Sequence, residues 1–262
     1  MLQQLKIDKE LVRERFCKTL GSYGRNAAVQ KTMAVELAEM VCLEEPAGKF
    51  DRVLEVGSGS GLLMAELLTR CWVTSYYAND LVEESRQCLH KVLAGSQVEE
   101  FHFIAGDIES TLKLPSGLDL VVSNATLQWL DNLDEFFRTM SAHLRPGGIL
   151  AFSTFGPSNM QEISSIEDVG LSYNTLGELE ILARRHFDLT FSREEEQRIE
   201  FSSPEAVLRH IRLTGVNGLQ RRSWTKSRYQ HFVSEYRRLF SCENGVYLTY
   251  HPLYCCLKKK LL

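Results

Sequence analysis

Residues Val53–Gly61, Val-Leu-Glu-Val-Gly-Ser-Gly-Ser-Gly, restrict the possible folds more than any other segment of the chain. An apolar run that empties into three alternate glycines reads as a strand, a tight loop and then a helix over Leu62–Thr69. Glycine permits backbone that other residues avoid, and it lets a ligand approach the N–H groups of a helix start. The spacing excludes three glycine loops. A dinucleotide fingerprint places its third glycine where this chain has Leu62, and a phosphate loop needs a Gly-Lys-Ser/Thr that is absent. A hydrolase elbow puts its nucleophile where this chain has Gly59. What remains is Glu55-x-Gly57-x-Gly59-x-Gly61, with an acid at the strand end that can meet an ammonium group or orient the loop.

The surrounding hundred residues alternate strand and helix. Strands are expected at Arg52–Val56, Val73–Ala78, Phe101–Ala105, Leu118–Ser123 and Ile149–Thr154, with a turn at Pro146–Gly148. Helices are expected over Leu62–Thr69, up to Leu93, and over Leu133–Leu144. This alternation predicts an α/β fold, a doubly wound and mostly parallel sheet that binds ligands where its strands end. Two helices precede it, broken at Gly21–Gly24. After Pro157 come a helix (Leu176–Arg185), a strand (Phe187–Phe191), two late helices (Pro204–Leu213 and Trp224–Phe240) and a last strand, Val246–Leu257. The late helices are too short for a core of their own. We therefore expect one domain over 1–262: N-terminal helices at 1–45 acting as a lid, a ligand-binding core at 50–155 and a helical insertion at 204–242.

Composition narrows the class. The chain has 262 residues, 44% apolar and 24% charged, enough for a core without disulfides or metal. No run nears the ~18 apolar residues of a membrane span, and Met1–Glu10 has no apolar signal core, so a cytoplasmic protein is expected. The seven cysteines include no Cys-x-x-Cys, and no His/Cys cluster suggests a metal site. A net charge of −4 argues against a general nucleic-acid or membrane-surface binder. Charge is uneven, however: Pro204–Leu262 carries 11 Lys/Arg against 3 Asp/Glu. Such a stretch is either a solvated helical face or a docking patch for an acidic partner.

Two further acids stand at strand exits. Asp80 ends the second strand, 23 residues after Gly57, and Asp107 ends the third within Gly106-Asp107-Ile108; Ser123-Asn124-Ala125 leaves the fourth. Over about residues 50–155, the glycine loop with these acids resembles class I S-adenosylmethionine-dependent methyltransferases, Rossmann-like proteins with a seven-stranded sheet. The resemblance implies that Asp80 accepts hydrogen bonds from both ribose hydroxyls and that Asp107 contacts the adenine amino group. Glu55, Gly57, Ser58, Gly59, Gly61, Leu81, Ile108 and Asn124 would complete the cofactor site.

The outer segments carry a narrower likeness. Arg15-Phe16, Tyr23, Ala27 and Gln30, Ser123–Trp129, Phe152–Gly156, Leu208–Gly218 and Leu248–His251 resemble the malonyl-[acyl-carrier protein] O-methyltransferase family of biotin synthesis, departing at Gly24 and in the tail Leu261–Leu262. The resemblance implies methylation of the free carboxylate of a malonyl thioester. A carboxylate is already anionic at neutral pH, so no general base is required. A bidentate arginine would suit as its clamp, which makes Arg209 and Arg212 candidates, with His210 and Tyr250 as further donors. Tyr23 and Trp129 could wall the sulfonium. The acidic carrier would dock on Arg221, Arg222, Lys226, Arg228, Arg237 and Arg238, and a monomer is expected. The cofactor core alone also suits a methyltransferase of a free acid such as trans-aconitate, or a non-catalytic cofactor-binding scaffold.

Overall fold

The structure, a computed structural model, describes residues 7–167, 170–214 and 224–261. Two helices open it, α1 (Lys9–Asn26) and α2 (Ala28–Glu44). Then follow β1 (Lys49–Val56), α3 (Leu62–Leu68), β2 (Trp72–Asp80), α4 (Ser85–Leu93), β3 (Glu100–Ala105) and β4 (Leu118–Asn124). After a short 3-10 turn (Leu127–Trp129) come α5 (Leu133–His143), β5 (Leu144–Phe155), α6 (Gln161–Ile166), α7 (Leu176–Arg184) and β6 (Phe187–Glu194). The chain ends with β7 (Gln197–Phe201), α8 (Pro204–Leu213), α9 (Lys226–Phe240), β8 (Ser241–Cys242), β9 (Gly245–Tyr250) and β10 (Pro252–Lys259).

Seven strands form one sheet in the order β3-β2-β1-β4-β5-β10-β6. The first five are mutually parallel, and β10 runs antiparallel between β5 and β6. The order reverses between β1 and β4, so the exits of those strands face a crevice that neither crossover covers. Alternate residues serve opposite faces. Val53, Leu120, Val122 and Ala151 pack with α2, α3 and α9 on one side, while Leu54, Val121, Leu150 and Phe152 pack with α5 and α7 on the other. Burial on both faces explains why β4 reads Leu-Asp-Leu-Val-Val-Ser-Asn, nearly all buried and without polar alternation.

Three expectations are corrected. The first helix does not break at Gly21–Gly24; it continues to Asn26 and turns at the wholly buried Ala27. A glycine lowers helix propensity by only about 1 kcal/mol, and the stripe Val12, Phe16, Leu20, Tyr23 faces a cavity along the full length of α1. The Pro146–Gly148 turn is absorbed into β5 as an irregularity, with Gly147 at φ +72° and a register shift between Leu118 and Leu120 opposite. The last strand is two strands in two sheets: β9 lies between β7 and β8, and the chain crosses at His251 to begin β10 with Pro252. Proline donates no N–H and restricts the residue before it, so one uninterrupted ladder is disfavoured there. On α8 and α9, Val207, Ile211, Phe232 and Tyr236 join the same buried cluster as α2 and the sheet.

Candidate cofactor and substrate site

The glycine loop leaves β1 at Val56 and reverses into α3. Gly57 has φ +74°, and a Cβ there would lie 2.2 Å from Thr126 Oγ1, so both conformation and space demand glycine. Gly61 at φ +84° packs against α4, where a Cβ would meet Val92 at 2.9 Å. The loop is pinned from the next strand: Gly57 N–H and Ser58 N–H both donate to the Asn79 carbonyl, at 2.9 and 3.0 Å. Asp80 continues the pinning. Its carboxylate accepts from Gly59 N–H at 2.6 Å and Val82 N–H at 2.7 Å, while its burial raises its pKa against those two donors.

Glu55 is 1% exposed and points inward from the end of β1. Burial pushes its carboxyl up to about 8, opposed by the Tyr76 hydroxyl, which donates to it at 2.8 Å. Desolvation at this buried position disfavours a bare carboxylate, so this acid holds its proton near neutrality. Farther out, Asp107 accepts from Lys9 Nζ on α1 at 3.0 and 2.9 Å, and Lys9 also pairs with Glu109. The N-terminal end of α1 is thereby tied across the exit of β3.

At the exit of β4, Asn124 donates to the Gln30 carbonyl at 3.0 Å and accepts from the Ser153 hydroxyl at 2.6 Å. Ala125 follows at φ +51°, a left-handed conformation unusual for a residue with a side chain, held by its N–H to the Ser153 carbonyl at 3.0 Å. This reversal delivers the 3-10 turn and places Trp129 against Phe16 of α1, ring centroids 5.8 Å apart and nearly perpendicular.

These groups surround one cavity. Of the residues expected from sequence, Tyr23, Glu55, Gly57, Ser58, Gly59, Asp80, Leu81, Asp107, Ile108, Asn124 and Trp129 all line it. Gly61 stands just behind it as the helix start. The four late candidates do not line it. Arg209 and Arg212 are exposed, because Val207 and Ile211 turn the apolar side of α8 inward and leave these two on the opposite face. His210 and Tyr250 bond each other, Nε2 to hydroxyl oxygen at 2.7 Å, and burial holds the imidazole pKa below its usual value. Arg221 and Arg222, and the Gly215–Gly218 end of the late motif, lie outside the described residues.

Sequence reasoning missed Lys9 and Thr126. The bare Cα of Gly57 hints at something packed against it, but nothing in the sequence says that Thr126 does so. Lys9 carries no signal other than its place at the head of the α1 stripe.

The fold and this crevice define a class I, Rossmann-like methyltransferase. Residues 54–152 match the family model described as a methyltransferase domain. A solved relative of this fold is phosphoethanolamine N-methyltransferase 2 of Haemonchus contortus in complex with S-adenosyl-L-methionine, at TM-score 0.53 and 15% identity, covering 86% of this chain and 52% of that one. Malonyl-[acyl-carrier protein] O-methyltransferase of Chlorobium luteolum is 51% identical over 253 residues, covering 97% of this chain and 96% of the relative. The enzyme of the same name from Prosthecochloris aestuarii is 48% identical over 258 residues, 98% of this chain and 96% of its own. The chain belongs to the malonyl-[acyl-carrier protein] O-methyltransferase family.

Proposed function

We propose that this methyltransferase esterifies the free carboxylate of a malonyl thioester carried on acyl carrier protein, using S-adenosylmethionine, at the opening of biotin synthesis in the cytoplasm. One observation carries the reading: likeness at about half identity runs over 97–98% of the chain, covering the substrate-side helices as well as the cofactor core. A free-acid methyltransferase would need to share only the core.

The cavity fits the cofactor on its own terms. Gly57 has no room for a side chain, and the buried Ser60 hydroxyl on the cavity wall has no partner, which leaves loop and hydroxyl to a polar ligand. When bound, S-adenosylmethionine supplies an electrophilic methyl on a sulfonium. Asp80, already fixed by two backbone N–H groups, keeps lone pairs for the two ribose hydroxyls. Asp107 can accept from the adenine amino group beside the apolar wall of Ile108. Glu55, once ionised, faces the ammonium. Phe16, Tyr23 and Trp129 close the cavity from above and exclude water from the reacting pair.

The malonyl carboxylate oxygen forms a bond to the methyl carbon as the carbon–sulfur bond breaks, and the electron pair leaves with sulfur. No proton moves, so no general base is needed. Alignment of the two reactants is the main contribution, and orientation of this kind can supply about 7–11 kcal/mol. The ester removes a charge that would be expensive to bury in apolar elongation enzymes.

The carrier would dock as an acidic partner against α8 and α9, to a monomeric enzyme of one domain. Arg228, Arg237 and Arg238 are engaged with Glu167, Glu205 and Glu235. Among the described residues, Arg209, Arg212 and Lys226 form no ion pair and are exposed, so they offer charge without first breaking a bond. The deciding experiment follows labelled methyl from S-adenosylmethionine into malonyl-carrier protein, with free malonate, malonyl-coenzyme A and acetyl-carrier protein in parallel. Alkali-labile label on the malonyl carrier and none on the acetyl form supports the reading; label on a free acid alone refutes it.

A further inference from the structure

The cavity has an electrostatic peculiarity that bears on how a carboxylate could be held there. Lys9 is the one cationic side chain among the described residues that line it, and Lys9 is already engaged by Asp107 and Glu109. Arg209 and Arg212 lie on the solvent face of α8 and do not reach the cavity. Besides serine hydroxyls such as that of Ser60, its wall carries two uncharged donors on aromatic side chains. The Trp129 indole N–H is buried and has no hydrogen-bond partner, although the residue is only 7% exposed. The Tyr23 hydroxyl makes no hydrogen bond among the described residues, and burial together with nearby Asp80 keeps it protonated. A buried polar group without a partner is uncommon and costly, and it calls for a ligand.

Resting on the function proposed above, we propose that the reacting malonyl carboxylate is held by these neutral donors, Trp129 Nε1–H and Tyr23 O–H, rather than by an arginine. Physical reasons favour such a site. A guanidinium would bind the carboxylate bidentately and draw on the lone pairs that must attack. Once the ester forms, the anion is gone, and a buried arginine would be left without its counter-charge, a severe penalty that neutral donors avoid. Uncharged donors still select strongly, because a substrate lacking the carboxylate leaves both unpaired. The exposed arginines of α8 are then free to meet the carrier rather than the malonyl group, which separates recognition of the acid from recognition of the protein that bears it.

The test uses the full chain and two substrates, malonyl-carrier protein and malonyl-pantetheine, which has the thioester but no carrier. Trp129→Phe keeps a ring but removes the N–H, and Tyr23→Phe removes only the hydroxyl. Each is expected to lower kcat/KM about 10- to 100-fold toward both substrates, the range for losing a hydrogen bond to a charged group. Affinity for S-adenosylhomocysteine should stay within about threefold of the wild type, and inhibition by acetyl-pantetheine, which lacks the carboxylate, should be unchanged. A merely structural role would move those two readouts as well. Arg209→Ala/Arg212→Ala should lose activity only toward the carrier substrate. The assignment is overturned if both phenylalanine variants turn over like the wild type, if both lose S-adenosylhomocysteine, or if the arginine pair is needed for malonyl-pantetheine. A wild-type enzyme that esterifies neither substrate sinks the proposed function and this site with it.

Discussion

Cofactor affinity should fall steeply with acid because of a single residue, Glu55. Its carboxyl sits at about 8, raised by burial and only partly relieved by the Tyr76 hydroxyl. A ligand bearing an ammonium group binds the ionised form, so the apparent dissociation constant scales inversely with the ionised fraction. With a pKa of about 8, that fraction is roughly one in four at pH 7.5 and about one in a hundred at pH 6. Affinity for S-adenosylhomocysteine, whose sulfur is uncharged, should therefore weaken about 25-fold across that interval, with close to one proton released per ligand bound. Calorimetry in two buffers of different ionisation enthalpy reads both quantities. Glu55→Gln cannot ionise but can still accept from Tyr76, so its affinity should be lower and flat with pH. The same residue gives a second, opposite signature in the free protein. Its folded pKa is raised, so the neutral form favours folding; that stability is full below the ordinary carboxylate range and is lost as pH rises through about 8. Wild-type affinity that varies less than twofold from pH 6 to 7.5, or an equal slope in Glu55→Gln, would refute the reasoning.

Three other perturbations probe the frame around that acid. Gly57→Ala combines φ +74° with a Cβ 2.2 Å from Thr126 Oγ1; thermal melts should show a loss of about 1–3 kcal/mol, and titration little cofactor binding. Lys9→Ala unties α1 from Asp107 and Glu109, so stopped-flow dissociation of S-adenosylhomocysteine should accelerate several-fold; an unchanged rate would mean that the pair does not restrain α1. Reversing Arg209, Arg212 and Lys226 to glutamate should raise KM for the carrier substrate at low salt and leave cofactor affinity alone; equal loss of both would point to damage to α8 and α9 instead.

That the strand-exit residues share one cavity is legible because their constraints are local. Gly57, Asp80, Asp107 and Asn124 each terminate or follow a strand, and a parallel sheet brings successive strand exits to one edge whatever the rest of the chain does. Sequence distance is irrelevant there, since topology supplies the contact. The substrate half is set by helix rotation and by packing between distant segments, and neither leaves a spacing rule. Arg209 and His210 are adjacent in sequence, yet α8 sends one to solvent and the other to Tyr250. Deciding between them needs the buried face of α8, and Val207 and Ile211 do mark it at helical spacing. Those two residues turn Arg209 and Arg212 away from the cavity, however well an arginine would suit a carboxylate. The strand Val246–Leu257 failed for a related reason: every residue has strand character, and only Pro252 hints that the run is shared between two sheets.

The two halves meet on α1, and this gives the helix its chemical importance. Its one continuous stripe runs from Lys9, tied to Asp107 at the exit of β3, through Phe16 to Tyr23 beside Asp80. A break at Gly21–Gly24 would have detached Tyr23 from that stripe and let the substrate end move independently of the cofactor end. On the function proposed above, an unbroken helix would make cover over the adenine and cover over the carboxylate one event. Water would then be excluded from the sulfonium only when both reactants are in place, which would protect an electrophile otherwise open to hydrolysis.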